Sequence, residues 1–570
     1  MGVPGFFIWL LKNYKKEGFV INKLKPNILP EILNEINNID YFLIDANCLI
    51  HPVCFKIIAD NPELNDNEKL ENKMMNAVLL YLDKLIEYVQ PKKGIYLAID
   101  GVAPLAKIKQ QRIRRFKSVA DKIMWDNIKK KHSKPITQHW NNNAITPGTK
   151  FMEKLHNIII NWANNQTFEV IYSSCFTPAE GEHKLLQFIR NNQKQNIDMS
   201  YVIYGLDADL IFLALSTNSN KIYLLREANE INKHESKEVL NHISIKIMRK
   251  SIVNNINRFL PDFELDEIKI VNDFIFMCYL LGNDFLPHIP SLNIHNNGIE
   301  NLIINYSKTI KELFLENNKI IYLIDELKIN SNFLSNFIIK LSLDEDKILC
   351  ENYYEKKKFK KCDGDAYEKE IFKIENLQFK INDPIKLGSD NSVEWKKRYY
   401  KHYWNIEEYE IEEFSEKLVY HYIMGIKWIT SYYFEKCPSW NWYYPFDYPP
   451  FISDIAKYLP LINIDLIKFK LGSPLKPFMQ LLSVLPPQSN YLLPNTLRKL
   501  VLNSNSSLIY MYPIEFEQDF INKHRHWAGI PKLPPLDIEL VKHMFYKYQD
   551  ELTKEEKNRN KIIEIINKRK

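Results

Sequence analysis

Short apolar runs that end in a carboxylate punctuate the first 210 residues. Tyr41-Phe-Leu-Ile-Asp45, Ile95-Tyr-Leu-Ala-Ile-Asp100 and Val202-Ile-Tyr-Gly-Leu-Asp-Ala-Asp-Leu210 each read as a strand buried on both faces, because apolar residues follow one another without alternation. Residues 168–173 and 221–225 give two more strands. Helical periodicity separates them. Val78, Leu79, Leu82, Leu85 and Ile86 mark a helix over 68–89, and 270–281 and 299–345 also read as helical. Strands alternating with helices predict an α/β unit with a central, mostly parallel sheet wrapped by helices. That unit is expected over 1–354, opening with an amphipathic stretch and a Pro-bounded loop in 1–30. Residues 355–394 are Lys-rich with little periodicity and predict a linker or exposed insertion. A second unit is expected over 395–545, and 546–570 reads as a basic tail, a solvated terminal helix.

In an open α/β sheet, ligands gather beyond the carboxyl ends of the strands. Asp45, Asp100, Asp207 and Asp209 fall there. Carboxylates packed together raise one another's pKa unless a cation neutralises them, and an oxygen-only set suits Mg²⁺ or Mn²⁺ better than zinc. The pattern predicts a metal-dependent enzyme, with phosphoryl chemistry the leading candidate. Thr177, Pro178 and Glu180 have the spacing of a capping box with Pro at the first helical position, which would account for Glu180 but not for Glu182. Asp284, in the turn Gly282-Asn-Asp-Phe-Leu-Pro-His288, is either a turn former or a further ligand.

Charge distribution matters more than charge total. Net charge is +6, from 76 basic and 70 acidic side chains, too mild to announce a nucleic-acid binder. Residues 105–134, however, hold 11 Lys or Arg against two Asp and no Glu. Lys107, Gln111, Arg114 and Arg115 fall on one helical face. A solvated face is the plain reading of such a helix. Its departure from the Asp100 strand favours a phosphate-binding face instead. Trp440, Trp442, Tyr443, Tyr444, Phe446 and Tyr448 form an aromatic block broken by prolines. It is either core or a platform for unpaired bases, worth roughly 1–3 kcal/mol per stacked base. The 7 cysteines are scattered without a C-x-x-C pair, which argues against a disulfide framework or a zinc module and favours a reducing compartment. No stretch approaches the ~18 apolar residues of a membrane span.

These motifs, in this order, resemble the 5′→3′ exoribonuclease family of messenger-RNA decay (the XRN nucleases). The matching residues are Met1-Gly-Val-Pro, Asp45-x-Asn47-x-x-x-His51, Ala98-Ile-Asp100-Gly-Val-Ala-Pro-x-Ala-Lys107 and Gln110-Gln-Arg-x-Arg-Arg-Phe116. Ile145-Thr-Pro-Gly148, Glu180-Gly-Glu182-His-Lys, Tyr204-Gly-Leu-Asp207-Ala-Asp209-Leu and Gly282-Asn-Asp284-Phe-Leu-Pro-His follow. Ser439-Trp-Asn-Trp-Tyr-Tyr-Pro and Ser473-Pro-Leu-Lys-Pro-Phe carry the match into the second unit. The resemblance implies a PIN/flap-nuclease-like core and a second, mainly helical region walling the active site. It implies seven catalytic, metal-holding carboxylates, Asp45, Asp100, Glu180, Glu182, Asp207, Asp209 and Asp284, with two Mg²⁺ or Mn²⁺ ions. It implies that Lys107, Gln111, Arg114 and Arg115 bind a 5′-monophosphate, Lys107 also serving the scissile phosphate, and that His51 stacks on the first bases opposite Trp440 or Trp442. The expected activity is processive degradation of single-stranded, 5′-monophosphorylated RNA to nucleoside 5′-monophosphates by a monomer. The decapping machinery is a candidate partner. The Cys/His knuckle of nuclear members is missing, as is the long carboxyl-terminal extension of large cytoplasmic ones, so a short, cytoplasmic-like member is expected. The competing readings are a structure-specific flap endonuclease and a non-catalytic RNA-binding scaffold.

Overall fold

Strands β2 (Tyr41–Asp45) and β3 (Gly94–Ala98) are buried at every position, as their unbroken apolar runs require. They belong to a computed structural model that describes residues 3, 5–25, 28–136, 140–205, 207–230, 239–355, 361–563 and 565–568. Met1, Gly2 and Pro4 of the opening motif, and Leu206, lie outside the described residues. With β1 (Val20–Ile21), β4 (Glu169–Ser173), β5 (Tyr201–Tyr204), β6 (Ile222–Glu227) and β7 (Leu240–Ser244), they form a sheet ordered β1-β7-β6-β5-β2-β3-β4, closed beyond β4 by a last strand, Ile566–Lys568. The five central strands β6-β5-β2-β3-β4 are parallel, in register Tyr41↔Gly94 and Tyr41↔Tyr201. The edge strands run antiparallel. This is the mostly parallel, helix-wrapped sheet that the sequence predicts.

Alternation sorts β2 onto two cores. Tyr41 and Leu43 face the Gly181–Lys194, Ile245–Asn257 and Glu267–Cys278 helices, in a core that continues into the Ile411–Phe434 helix of the second region. Phe42 and Ile44 face the Ala46–Asp60, Asn67–Val89 and Lys150–Asn164 helices. A third core joins the Leu105–Lys131 helix to Pro477–Val484, Asn495–Leu502 and Ile538–Tyr548. The chain lays β3 and β4 on one side of β2, then returns to place β5 on the other. The crevice between β2 and β5 is therefore the topological switch point, where this architecture binds ligands.

Several elements differ from expectation. The predicted 202–210 strand stops at Tyr204; the chain turns at Gly205 and Asp209 opens a helix, Asp209–Leu215, where the positive end of the peptide dipoles favours a carboxylate. The helical 299–345 stretch is two helices, Gly298–Asn317 and Ser331–Ser342, with an unpredicted hairpin between them, Ile324–Asp325 with Lys328–Ile329. The stretch read as a linker carries a helix, Ala366–Glu375, held by an Asp365/Glu368 capping box. The tail is not a solvated helix. Arg559 is buried on the Gly148 carbonyl, Asn560 Oδ1 accepts from Phe478 N at 2.9 Å, and Ile566–Lys568 covers the edge of β4. An uncovered β4 would leave a row of unpaired backbone groups, which gives the tail its place.

Candidate active site

Asp45 ends β2 and caps the next helix: its Oδ1 accepts from Asn47 N at 3.2 Å and its Oδ2 from Cys48 Sγ at 3.2 Å. Asp100 follows β3 by two residues. The Asn47 side chain clasps it, donating to Asp100 Oδ2 at 2.9 Å and accepting from Asp100 N at 3.1 Å. Gly181 N donates to the other oxygen, Asp100 Oδ1, at 2.6 Å. Gly181 must lack a side chain, because a Cβ there would lie 2.9 Å from Asp45 Oδ1 and 3.4 Å from Asp100 Oδ1.

The Glu180 turn differs from the predicted capping box. The helix starts at Gly181, with Glu180 as the residue before it, making no side-chain cap. Backbone bonds from Gly101 N to Ala179 O (2.9 Å) and from Ala179 N to Val102 O (3.0 Å) pull the 177–180 segment onto the turn after β3. Ala179 pays with φ of 101°, a strained region for a residue with a Cβ. Capping thus does not account for Glu180, which points to Tyr432 and Lys107. Tyr432 OH donates to Glu180 Oε1 at 2.7 Å. Lys107 Nζ lies 2.6 Å from Glu180 Oε2 and 2.7 Å from Asp284 Oδ2, and Gln110 Nε2 donates to Asp284 Oδ1 at 3.3 Å.

Six of the seven predicted carboxylates are buried or half-buried; Asp207 is exposed at the mouth. Their charges oppose one another. Burial, with the charges of Asp100 and Asp207, pushes Asp45 up to about 8. Burial, with Glu180, raises Asp100. Burial, with Asp209 and Glu180, pushes Glu182 far up, and burial, with Asp284 adding, lifts Asp209 to about 6. Burial acts against the charged forms of Lys107 and Asp284 too, but their mutual attraction outweighs it: Lys107 is held well above its ordinary value and Asp284 well below. Among the described residues no three His, Cys, Asp or Glu groups already converge as a cage. The donor set nevertheless fits a hard divalent cation, being all oxygen, with one lysine among the described residues paired with two of its seven members.

The basic helix begins beside this cluster. Leu105 N is satisfied by Trp440 O at 2.9 Å. Its cations divide by direction. Lys109 reaches the Tyr444 and Phe446 carbonyls, and Arg112 those of Ser483 and Met511, so these bind the second region. Lys107 turns into the acidic cluster. Gln111 Oε1 accepts from Gln480 Nε2 at 3.3 Å, Arg114 is exposed, and Arg115 is deeply set. Burial, then Arg114, pull Arg115 down to about 9, and among the described residues its buried Nη1 has no acceptor. His51 is close enough to Arg114 and Arg115 that, after burial, they hold it down to about 4. Trp442 stacks on Trp428 at 5.2 Å within the second region, while the backbone of Trp440 spans Leu105 and Leu471. Asn47, Gly181, Tyr432 and Gln110 are site residues that the sequence reading did not single out. Asn47 and Gln110 stood inside the motifs; nothing local signals Tyr432.

Comparison with known proteins places the chain in a family. Residues 1–228 match the XRN 5'-3' exonuclease N-terminus, and residues 263–378 and 350–566 match the Xrn1 helical domain. The 5'-3' exoribonuclease 2 of Candida albicans is 29% identical over 732 residues, spanning 98% of this chain and 74% of that protein. The 5'-3' exoribonuclease 2 of Arabidopsis thaliana is 29% identical, spanning 99% of this chain and 69% of that protein. The 5'-3' exoribonuclease 1 of Homo sapiens is 30% identical over 99% of this chain but only 35% of that protein. With both family regions present along nearly the whole chain, this protein belongs to the XRN family of 5′→3′ exoribonucleases.

Proposed function

We propose that the enzyme removes nucleoside 5′-monophosphates one at a time, processively, from single-stranded RNA that begins with a 5′-monophosphate, such as decapped messenger RNA. The observation that carries the end preference is Arg115, a buried guanidinium with an acceptor-less Nη1, weakened by its neighbour Arg114. A bound phosphate would satisfy that nitrogen and relieve the repulsion between the two arginines. Gln111 lies on the same helical face, and Lys107 carries that face into the acidic cluster. A terminal phosphate held there sets the first phosphodiester against the carboxylates, so that one nucleotide is released per step. A cap or triphosphate would overfill the pocket.

Asp45, Asp100, Glu180, Glu182, Asp207, Asp209 and Asp284 would hold two Mg²⁺ or Mn²⁺ ions. Such ions, when bound, would acidify a water and neutralise charge on the leaving oxygen. Lys107, the ammonium already among the carboxylates, would stabilise charge on the scissile phosphate. His51, kept neutral by burial and the adjacent arginines, would stack on the first bases, with the Trp440–Trp442 segment opposite. Asn47, Gly181 and Tyr432 position the carboxylates. The scattered cysteines, without a C-x-x-C pair, favour a reducing compartment, and we place the enzyme in the cytoplasm.

The test is incubation with Mg²⁺ and RNA labelled at either end, bearing 5′-monophosphate, 5′-triphosphate or 5′-hydroxyl. Mononucleotides from the monophosphate substrate alone are expected; internal cuts indifferent to the 5′ end would refute the reading. In the same assay, Arg115→Ala should reduce the preference for 5′-monophosphate over 5′-hydroxyl ends about 10- to 100-fold, the range of a lost charge-assisted hydrogen bond. Gly181→Ala should lower kcat by about tenfold or more with the fold intact, since its methyl group displaces the Asp45 carboxylate; circular dichroism and single-turnover rates check the two halves.

A further inference from the structure

The loop that carries Asp284 has a second face. Gly282, at φ of 85°, lets the chain fold so tightly that a Cβ would lie 2.7 Å from His288 N, and Asn283 N donates to Leu286 O at 3.0 Å. Asp284 leaves this loop toward Lys107. Pro287 and His288, a few residues on, line a separate cavity of about 920 Å³ between the first and second regions. That is the size of a small-molecule site, typically about 300–1,000 Å³.

Its walls are aromatic and its unengaged charge is positive. Tyr403 and Tyr448 stack at 3.5 Å, and both hydroxyls donate to Asp519 Oδ2, at 3.1 and 2.7 Å, which fixes the pair. Phe520 adds a further ring to the lining. Of the lining acids, Asp447 is paired with Lys109 at 3.0 Å, Asp383 accepts from Ile385 N and Lys386 N, and Glu355 sits exposed at the rim. Lys523 also lines the cavity, and among the described residues its charge is met only at longer range, by Asp519. Its nearest counter-charge, Asp519, is taken up by two tyrosines and Ile521 N. Burial accordingly lowers the lysine's pKa. A half-buried cation facing stacked rings calls for a ligand with an anionic group and a planar one.

We propose that this cavity binds a nucleoside 5′-monophosphate, with its base against the Tyr403–Tyr448 wall and its phosphate on Lys523. Two sources share that chemistry: a mononucleotide free in solution, including the one this enzyme releases, and a nucleotide still within an RNA chain. Either would abut Pro287 and His288, in the loop that carries Asp284. The site is distinct from the Arg114–Arg115 pocket, and its existence does not depend on that pocket's assignment.

The experiment is equilibrium binding of adenosine 5′-monophosphate to the full chain in EDTA, with adenosine and inorganic phosphate as partial probes. Binding should survive Arg115→Met. It should weaken at least about tenfold in Lys523→Met, the loss of one charge-assisted contact. It should also weaken in Ile530→Trp, which fills the cavity, with thermal midpoints confirming that both variants fold. Adenosine and phosphate should each bind at least tenfold more weakly than the nucleotide. Absence of binding, or binding lost in Arg115→Met but kept in Lys523→Met and Ile530→Trp, would overturn the proposal while leaving the end-recognition pocket untouched. An RNA of about ten nucleotides then separates the sources. If nucleotide and RNA bind together, the site serves free mononucleotides. If the RNA displaces the nucleotide and itself needs Lys523, the site holds a nucleotide of the chain.

Discussion

Asp207→Ala is expected to cut RNA hydrolysis by about three orders of magnitude or more while leaving stability and RNA binding nearly unchanged. The first half follows from its place among the carboxylates: its charge acts on Asp45, Asp209 and Glu182, so it shares the pocket in which catalytic cations would be held. The second half follows from exposure. Asp207 is exposed, and the bond it makes to Arg226 uses its backbone carbonyl, at 2.8 Å, which the substitution keeps. An exposed side chain without a structural bond changes stability by less than about 0.5 kcal/mol. Asp45→Ala would be a poorer probe, because it also removes the cap on Asn47 N and a source of buried repulsion. Single-turnover release of mononucleotides and fluorescence anisotropy on a 5′-monophosphate RNA measure the two halves. Turnover within tenfold of the parent would remove Asp207 from the catalytic set.

What the sequence shows of this site is what local pattern can encode. Unbroken apolar runs located β2 and β3, and strands of that kind in an α/β sheet end at its carboxyl edge, so Asp45 and Asp100 were legible. Helical spacing placed Lys107, Gln111, Arg114 and Arg115 on one face, but spacing is silent on partners. Only the fold shows that Lys107 leaves the others to enter the acidic cluster, and that Lys109 and Arg112, equally basic, are bolts to the second region. The Thr177 capping box was sound local chemistry overridden by tertiary bonds from Gly101 and Val102, at the cost of a strained Ala179. Such overrides concentrate where function needs them. Tyr432 and Gln110 reach the site across 252 and 174 residues of sequence, beyond the range of any periodicity. The tail was misread because edge coverage is a property of the finished sheet.

The stabilisation conferred by Mg²⁺ or Mn²⁺ should grow steeply with pH, and this is the other large effect the geometry predicts. In the cation-free fold, Asp45 titrates near 8 and Asp209 near 6, with Glu182 and Asp100 raised in the same sense. The sign follows from proton counts. A carboxyl whose pKa is raised by folding holds a proton that the unfolded chain has already lost. Its contribution is therefore fully present below the unfolded value and is lost as pH rises through the folded one. Buried histidines work oppositely: His51, held near 4, and His288, near 3, refuse protons that the unfolded chain accepts, so they favour the fold as pH rises toward neutrality. A bare stability profile mixes the two. The difference between unfolding free energies with and without the cation cancels groups whose protonation the cation leaves alone and brings out the carboxylates, which must shed their protons to bind. Each obligatory proton makes the apparent affinity rise about tenfold per pH unit below its pKa, or about 1.4 kcal/mol. Between pH 6 and 8 Asp45 supplies about one such factor per unit, to which Glu182, also pushed far up, adds; below 6 Asp209 adds another. Titration calorimetry from pH 5 to 8 should show affinity rising at least about a hundredfold from 6 to 8, with proton uptake by the buffer. Asp45→Asn should lower the slope of that segment by about one factor of ten per unit, since it removes one of the protons that titrate there. An affinity independent of pH in the parent would mean that these carboxylates are already ionised, and that the repulsion inferred from their burial is absent.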